Sequence, residues 1–283
     1  MLGRLFPPRA GYWLADALSG LIANRRSWEL VRSVRANQWV VSQGELSGEK
    51  LDQAARQVFR NIARYQYELY HYLDNPQAMQ DKLVLNNTIQ RLMKRSEFEE
   101  LGLVAVGVHL GNYDLILRTL YSQGIKALAL TIPEMTGGYE TQFNLRRNAG
   151  VPILPLTKDA FRQAVTHLQS GGMIATGLDR PLPDVRHKPR FFGRPSHLPV
   201  HYISLALKAN VPVVVIAFIM QADGTYTSIV SDPIPMQPCK DRQQEIIVNA
   251  EAILRIAEGY IKQAPQLWSM TLPVWPDVLD AVP

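Results

Sequence analysis

The chain has 283 residues, of which 47% are hydrophobic, and this is enough for one sizeable globular core. Its single cysteine, Cys239, excludes an internal disulfide framework and a multi-cysteine zinc site, so a reducing, cytoplasmic setting is expected. The formal net charge of +5 at pH 7 suits an anionic partner, without choosing among phosphate-bearing lipids, nucleotide-bearing cofactors and nucleic acids.

The first predicted element is an amphipathic helix near the N-terminus. Its apolar run over residues 12–23 falls short of the ~20 residues that cross a bilayer, and Asp16 interrupts it. Apolar side chains recur at helical spacing, as in a helix that lies in the plane of a membrane interface: Trp13, Ala17, Leu18, Leu21, Ile22 and Trp28. A helix that packs into the core is an equal alternative, and both hold if the helix packs on the body and exposes its tryptophans.

Residues 48–72 predict a long amphipathic helix. Its apolar positions follow a 4-3-4-3 step, which places them on one stripe: Leu51, Ala55, Val58, Ile62, Tyr65, Leu69 and Tyr72. Pro76 closes this helix, and the charged residues 81–100 predict a weaker helical connection. Residues 1–100 are therefore expected to form a helical N-terminal part.

Beyond residue 100 the pattern changes to short apolar runs separated by helical segments. The runs are nearly continuous, as buried strands require, and lie at 103–108, 127–132, 151–154, 173–176 and 211–219, with 226–230 as a further candidate. Helices are predicted at 115–122, 139–148, 159–170, 198–209 and 241–263. This alternation predicts an α/β fold with a mostly parallel, twisted sheet flanked by helices, in one domain over residues 1–283.

The candidate chemistry lies at the end of the first buried strand, in residues 108–114. Open α/β sheets place their ligands where a strand ends and a helix begins. His109 stands at that point, and Asp114 falls in the first helical turn, where the helix dipole favours a carboxylate. We expect Asp114 to accept a hydrogen bond from His109, which would leave the other ring nitrogen as a general base. The alternative is that His109 caps the helix and Asp114 is a solvated acid.

The chain resembles a known family along nearly its whole length. GVHLGNYD is similar to the histidine-x4-acid block of the glycerolipid and lysophospholipid acyltransferase superfamily, in particular its bacterial lipid A acyltransferase branch and the related phosphatidylinositol mannoside acyltransferases. VRANQWVV and ARQVFRNIARYQYELYHYL resemble the arginine-rich N-terminal helices of that branch. LDRPLPDVRHKPRFFGRPSHLP resembles its aspartate-containing turn, Phe-Phe-Gly element and substrate-binding loop, and QLWSM is similar to a reduced form of its Gln-Trp-rich ending.

This resemblance implies an acyltransferase that moves a fatty acyl group from a thioester to a hydroxyl of a membrane lipid or glycolipid. His109 would be the general base and Asp114 its orienting acid, with residues 101–283 as the catalytic part. The implied substrate-binding residues are Asn112, Asp179, Arg180, Phe191, Phe192 and Gly193. The chain differs from the lipid A enzymes that carry Glu at the position of Asp114, and this difference concerns the acceptor more than the reaction.

Arginines are the candidates to meet phosphate or a developing oxyanion, because a guanidinium presents a planar fork of donors to such groups. Arg180 follows a predicted buried strand beside Asp179. Arg146 and Arg147 lie on a predicted helix, where a solvated basic edge is an equal alternative.

The resemblance also sets the expected partners. The donor would be acyl-coenzyme A or acyl carrier protein, and the protein would sit peripherally on the cytoplasmic face of the cell membrane. No cofactor, metal ion or nucleic acid is expected, and the chain has neither a Gly-x-Ser-x-Gly elbow nor a Walker-type loop. Two alternatives stay open: a catalytically silent lipid-binding protein, and a hydrolase of lipid esters or thioesters that uses His109 to activate water.

Overall fold

The computed structural model describes residues 7–73, 75–87, 89–90, 102–131, 138–183 and 185–283. Nine α-helices have their bounds in these ranges: α1 (Pro8–Ala23), α2 (Glu29–Val41), α3 (Gly48–His71), α4 (Pro76–Gln80), α5 (Tyr113–Ser122), α6 (Gly138–Asn148), α7 (Lys158–Gln169), α8 (His201–Ala209) and α9 (Arg242–Gln263). The strands are β1 (Leu83–Val84), β2 (Leu103–Gly107), β3 (Ala127–Thr131), β4 (Ile153–Pro155), β5 (Met173–Gly177), β6 (Arg190–Phe191), β7 (Arg194–Pro195), β8 (Val213–Met220) and β9 (Tyr226–Val230). The predicted α/β class is confirmed.

The order of the strands places β2 between β8 and β5. Across the seven-stranded sheet the order is β1-β9-β8-β2-β5-β3-β4; among the described pairs, β8–β9 is antiparallel and the others are parallel. The first four residues of β2 are buried, as expected for a parallel strand that is covered on both faces. In the β2–β5 pair Gly107 lies opposite Gly177. The residues that follow these two strands therefore start at the same edge of the sheet.

The helical connection predicted over residues 81–100 is wrong at its start. Leu83 and Val84 form the edge strand β1, which pairs in parallel with Tyr226 and Thr227 of β9. A strand of two residues has too little sequence for a visible period, and it forms here because β9 offers an open edge with free hydrogen-bonding groups. Residues 91–100 lie outside the described residues.

Helix α1 packs on α3 through its small side chains. Gly11, Ala15 and Ser19 recur every four residues on its buried face, and a side chain at Gly11 would collide with the ring of Tyr67. Its large apolar side chains point outward instead, since Trp13, Leu18 and Leu21 are 71%, 49% and 66% exposed. Helix α1 therefore packs on the body of the protein and also exposes its tryptophan, as in the combined alternative that the sequence left open.

A half-exposed ion cluster completes the contact between α1 and α3. Both carboxylate oxygens of Asp16 accept hydrogen bonds from Arg60 and from Arg64, at 2.7–2.8 Å. Bidentate pairs of this kind fix the relative orientation of the side chains as well as adding electrostatic attraction.

Within the described residues, none of the helices is long and apolar enough to cross a membrane.

Buried amides of the helical part hold the C-terminal strap, which we define as residues 265–274. Asn37 of α2 donates to the carbonyl oxygens of Met270 (3.0 Å) and Leu272 (2.9 Å) and accepts from the amide of Val274 (3.2 Å). Gln38 and Asn61 donate to the carbonyl oxygens of residues 265 and 266. A loop can be buried only if its backbone groups are paired, and these amides pair them.

Replacing Asn37 tests how much this strap depends on α2. Asn37→Ala leaves buried backbone groups without partners, so we expect the free energy of unfolding to fall by about 2–4 kcal/mol. Gln53→Ala, on the exposed face of α3, should change it by less than about 0.5 kcal/mol. Urea unfolding at pH 7 measures both. Equal effects of the two substitutions would show that the strap is held by other contacts.

Candidate active site

The register of β2 and β5 brings His109 and Asp179 together. Each strand ends in glycine, and each glycine is followed by one apolar residue and then by the polar side chain. Because Gly107 and Gly177 are opposite one another, His109 and Asp179 leave the sheet side by side although they are 70 residues apart. The site therefore lies at the carboxyl end of the central strands, where open α/β sheets place their ligands.

Asp179 is fully buried, and three donors surround its carboxylate. Nδ1 of His109 donates to Oδ1 at 2.5 Å, and the backbone amide of His109 donates to Oδ2 at 2.9 Å. Nε1 of Trp268, in the strap, donates to Oδ2 at 2.7 Å. A carboxylate only accepts, so Nδ1 carries a proton, and Nε2 is left as the basic nitrogen whenever the ring is neutral.

The surroundings of Asp179 favour its charged form. Burial on its own raises the pKa of a carboxyl group, but the charge of His109 and the hydrogen bonds from His109 and Trp268 outweigh it and leave the pKa of Asp179 lowered. The carboxylate is thus kept ionised at neutral pH. In that form it accepts the hydrogen bonds that fix the ring of His109.

Asp114 is not the hydrogen-bond partner of His109, which corrects the pairing expected from the sequence. Oδ1 of Asp114 accepts from Nε of Arg146 at 2.7 Å and from a second guanidinium nitrogen of the same residue. Asp114 does occupy the first turn of α5 as predicted. Its partner differs because α6 brings a guanidinium, a permanent charge with paired donors, to that turn, while the sheet supplies Asp179 to the histidine.

A cavity of about 150 Å³ opens beside His109. The residues after β2 and β5 form one side of it, with His109, Asp114 and Arg180 in the lining. Helix α3 and the strap form the other side, which includes Tyr65 and Met270. The helical N-terminal part therefore forms one wall of the site.

The turn over residues 109–114 is tied to the strap by its backbone. The amide of Gly111 donates to the carbonyl oxygen of Leu267 at 3.2 Å, and the amide of Ser269 donates to the carbonyl oxygen of His109 at 2.9 Å. Gly111 has φ +74°, and a side chain there would collide with the carbonyl oxygen of Phe218. Only glycine fits this position, because the turn needs both a left-handed residue and close backbone approach.

The structure separates the remaining predicted site residues into two groups. Arg180 and Asn112 line the cavity beside His109, whereas Arg147 is exposed at the end of α6 and is absent from the lining of that cavity among the residues that the structure describes. Phe191 is fully buried and stacks on Trp275, 5.6 Å between ring centroids.

Phe192 and Gly193 line a different cavity. This second cavity has a volume of about 490 Å³ and also contains Trp39 and Lys262 in its lining. The three residues of the Phe-Phe-Gly element therefore do not form a common wall with His109. Phe191 instead supports Trp268, at 6.1 Å between ring centroids, and so reaches the site through the donor to Asp179.

The resemblance implied Asp179 as a substrate-binding residue, but sequence reasoning missed its hydrogen bond with His109 and the contact of Trp268 with the same carboxylate. A signal was present, since both strands end in the same glycine, apolar residue, polar residue order. That signal becomes informative only when β2 and β5 are known to be neighbours. Trp268 lies in the QLWSM segment that resembles the family's ending, but it is 89 residues from Asp179 along the chain and nothing in that segment pointed to a contact with Asp179.

The family comparison agrees with the resemblance seen in the sequence. The model of the family described as bacterial lipid A biosynthesis acyltransferase matches residues 4–276. No curated protein shows a significant match to the chain. The matched range includes α1, every strand of the sheet and both His109 and Asp179.

The lowered pKa of Asp179 predicts how the stability depends on pH. A depressed carboxyl pKa contributes stability that is present above the ordinary value of 3.8 and is lost as the pH falls through the lower folded value. Wild type should therefore be more stable than Asp179→Asn at pH 7, and the difference should shrink below pH ~4. Urea unfolding between pH 7 and 3 measures it. Asp159→Asn, an exposed control, should show a small and constant difference; a constant large difference for Asp179→Asn would contradict the assignment.

Proposed function

The chain belongs to the bacterial lipid A biosynthesis acyltransferase family, and from this premise we propose that it transfers a fatty acyl group from an acyl thioester to a hydroxyl of a membrane lipid or glycolipid. The observation that carries the proposal is the His109–Asp179 pair, which leaves Nε2 of the ring as a base beside the cavity. The donor is acyl-coenzyme A or acyl carrier protein, and the basic surface suits either.

The reaction we propose is a direct transfer with one base. The acceptor hydroxyl gives its proton to Nε2 of His109 while its oxygen attacks the thioester carbonyl carbon. Asp179 stabilises the imidazolium that results. The carbon–sulfur bond then breaks, and the thiolate leaves with the proton that His109 returns.

Two arginines have separate parts in this proposal. Arg180 lines the cavity and is our candidate to stabilise the oxyanion of the tetrahedral intermediate. Arg146 is paired with Asp114, which lines the cavity, so together they set the charge at the first turn of α5. Asp114 therefore stays within the proposed catalytic machinery, as the residue that positions Arg146.

The outward face of α1 supports a membrane surface as the place of work. Trp13 and Leu21 are the most exposed large apolar side chains of this helix, and Trp28 beyond its end is 51% exposed. The guanidinium of Arg25 lies over the ring of Trp28, 5.9 Å from its centroid, where it can meet a lipid phosphate. Aromatic residues and arginine side by side are typical of helices that lie in the interface. We propose peripheral attachment to the cytoplasmic face of the cell membrane.

Product analysis with labelled acyl-coenzyme A and acyl carrier protein tests the reaction class. A panel of membrane lipids and glycolipids is offered as acceptors, and an acylated lipid is the expected product. Free fatty acid as the main product, at a rate that does not depend on acceptor, would support a hydrolase instead. Binding of lipid vesicles without turnover of any donor would support a silent lipid-binding protein.

Removing the imidazole tests the base. His109→Ala should lower kcat by at least about 100-fold in protein that is still folded, because general-base catalysis contributes roughly 10²–10⁴ in rate. His167→Ala, on α7 and outside the lining of the His109 cavity, is the matched control and should keep wild-type activity. A folded His109→Ala protein that kept more than about a tenth of kcat would rule out this role.

Changing the outward face of α1 tests the membrane surface. The triple variant Trp13→Ser, Leu18→Ser, Leu21→Ser should fold normally, because these side chains are exposed, but should bind anionic vesicles at least about tenfold more weakly. Val84→Ser, an exposed apolar residue outside α1, should bind like wild type. Vesicle sedimentation measures both. Binding of the wild-type chain should also weaken with salt, since the attraction between basic side chains and anionic lipid is screened over about 8–10 Å. Unchanged binding by the triple variant would place the membrane contact elsewhere.

A further inference from the structure

Glu68 of α3 is a buried carboxylate that joins four parts of the chain. It is 2% exposed. Its Oε1 accepts a hydrogen bond from the hydroxyl of Tyr12 at 2.7 Å, and its Oε2 accepts from Nδ2 of Asn112 at 3.0 Å and from the hydroxyl of Tyr226. The ammonium of Lys82 lies 3.9 Å from Oε1. The three donors come from α1, the 109–114 turn and β9, and the ion-pair partner Lys82 is the residue before β1.

A carboxylate in this position has to be held by fixed donors. Burying a charge is costly unless hydrogen bonds and opposite charge replace the lost water, and here each oxygen has a donor. Burial and the charge of Glu68 raise the pKa values of Tyr12 and Tyr226, so both hydroxyls keep the protons that they donate. Loss of one donor therefore leaves a buried charge undersatisfied, and the others have to adjust.

The contact with Asn112 carries this arrangement to the site. Asn112 lies between His109 and Asp114, is 3% exposed, and also donates to the carbonyl oxygen of Tyr65 at 3.3 Å. The turn is held on its other side by the strap, through Gly111. The side-chain amide of Asn112 thus links the 109–114 turn to α3.

The contact with Tyr12 carries the arrangement to α1. The ring of Tyr12 packs edge-on against Tyr67, 5.4 Å between centroids, and the guanidinium of Arg64 lies over it at 5.4 Å. The next residue, Trp13, is on the outward face. Tyr12 therefore faces the buried carboxylate, while its neighbour Trp13 lies on the surface that we propose contacts the membrane.

We propose that Glu68 is a positioning residue that holds the 109–114 turn through Asn112, and that the hydroxyl of Tyr12 makes this hold depend on helix α1. The role in turnover rests on the function proposed above, whereas the effect on the turn does not. Glu68 touches no reacting atom in this scheme. It acts through the turn that carries His109.

Amide hydrogen exchange tests the hold on the turn without any activity assay. Tyr12→Phe removes one hydroxyl and keeps the ring contacts, and Glu68→Gln keeps the shape of the carboxylate and removes its charge. In both variants exchange at residues 110–114 should be about fivefold faster, which corresponds to the loss of one hydrogen bond of typical strength. Tyr121→Phe is the matched control, because its hydroxyl donates to the carbonyl oxygen of Ala127, outside the Glu68 cluster. In Tyr121→Phe, residues 110–114 should exchange at the wild-type rate.

Turnover and vesicle binding test the consequence for the reaction. Tyr12→Phe should lower kcat about threefold to tenfold while KM for acyl-coenzyme A and binding to anionic vesicles stay at wild-type values. A purely structural role would lower the melting temperature of Tyr12→Phe and Tyr121→Phe alike and leave both kcat values unchanged. Combining Tyr12→Phe with Asn112→Ala should cost less than the product of the two single losses, since both donors act on one carboxylate.

The outcomes separate the two proposals. Unchanged exchange at residues 110–114 in Tyr12→Phe would overturn the positioning role, and this variant decides the matter even if Glu68→Gln does not fold. Faster exchange together with no acyl transfer by the wild-type chain would support the positioning role and reject the proposed function. Faster exchange with wild-type kcat in an active enzyme would show that the turn is held but that turnover does not depend on it, which would overturn the link to catalysis.

Discussion

The hydrogen bond from His109 to Asp179 is the interaction on which the proposed site depends. It exists because β2 and β5 are parallel neighbours with Gly107 opposite Gly177, so the two polar side chains emerge at one edge of the sheet. The backbone amide of His109 and the indole of Trp268 complete the donors to this carboxylate. A buried charge with these fixed partners holds the imidazole in one orientation, which is the kind of preorganisation that the proposed catalysis requires.

The helical N-terminal part does more than cover the sheet. Buried amides of α2 and α3 pair the backbone of the strap, and the strap in turn pairs with the 109–114 turn and supplies Trp268. The cavity is lined from both sides, by residues that follow the strands and by residues of α3 and the strap. The site is therefore an interface between the two parts of the chain, and neither part holds it alone.

Helix α1 shows how one short helix serves two surfaces. Small residues and Asp16 bind it to α3, so its large apolar side chains are left on the outside. In a core-facing helix the large side chains would be buried, because apolar burial is the main stabilising term. The arrangement makes sense if the apolar face of α1 is buried in a lipid interface, which is the environment of the acceptor that we propose.

Local patterns in the sequence predicted several elements of this protein. The 4-3-4-3 stripe predicted α3, the short apolar runs predicted the central strands, and residues 108–114 indicated the end of β2. The edge strand β1 could not be predicted, because two residues are too few to show a period. The hydrogen-bond partner of His109 could not be predicted for a different reason. Asp114 is close to His109 in sequence, whereas Asp179 is 70 residues away. Asp179 accepts the hydrogen bond because β2 and β5 are neighbouring strands, and Asp114 is paired instead with Arg146 from α6. Strand order and helix packing are set by the burial of the whole chain, so only the tertiary structure could assign the pair.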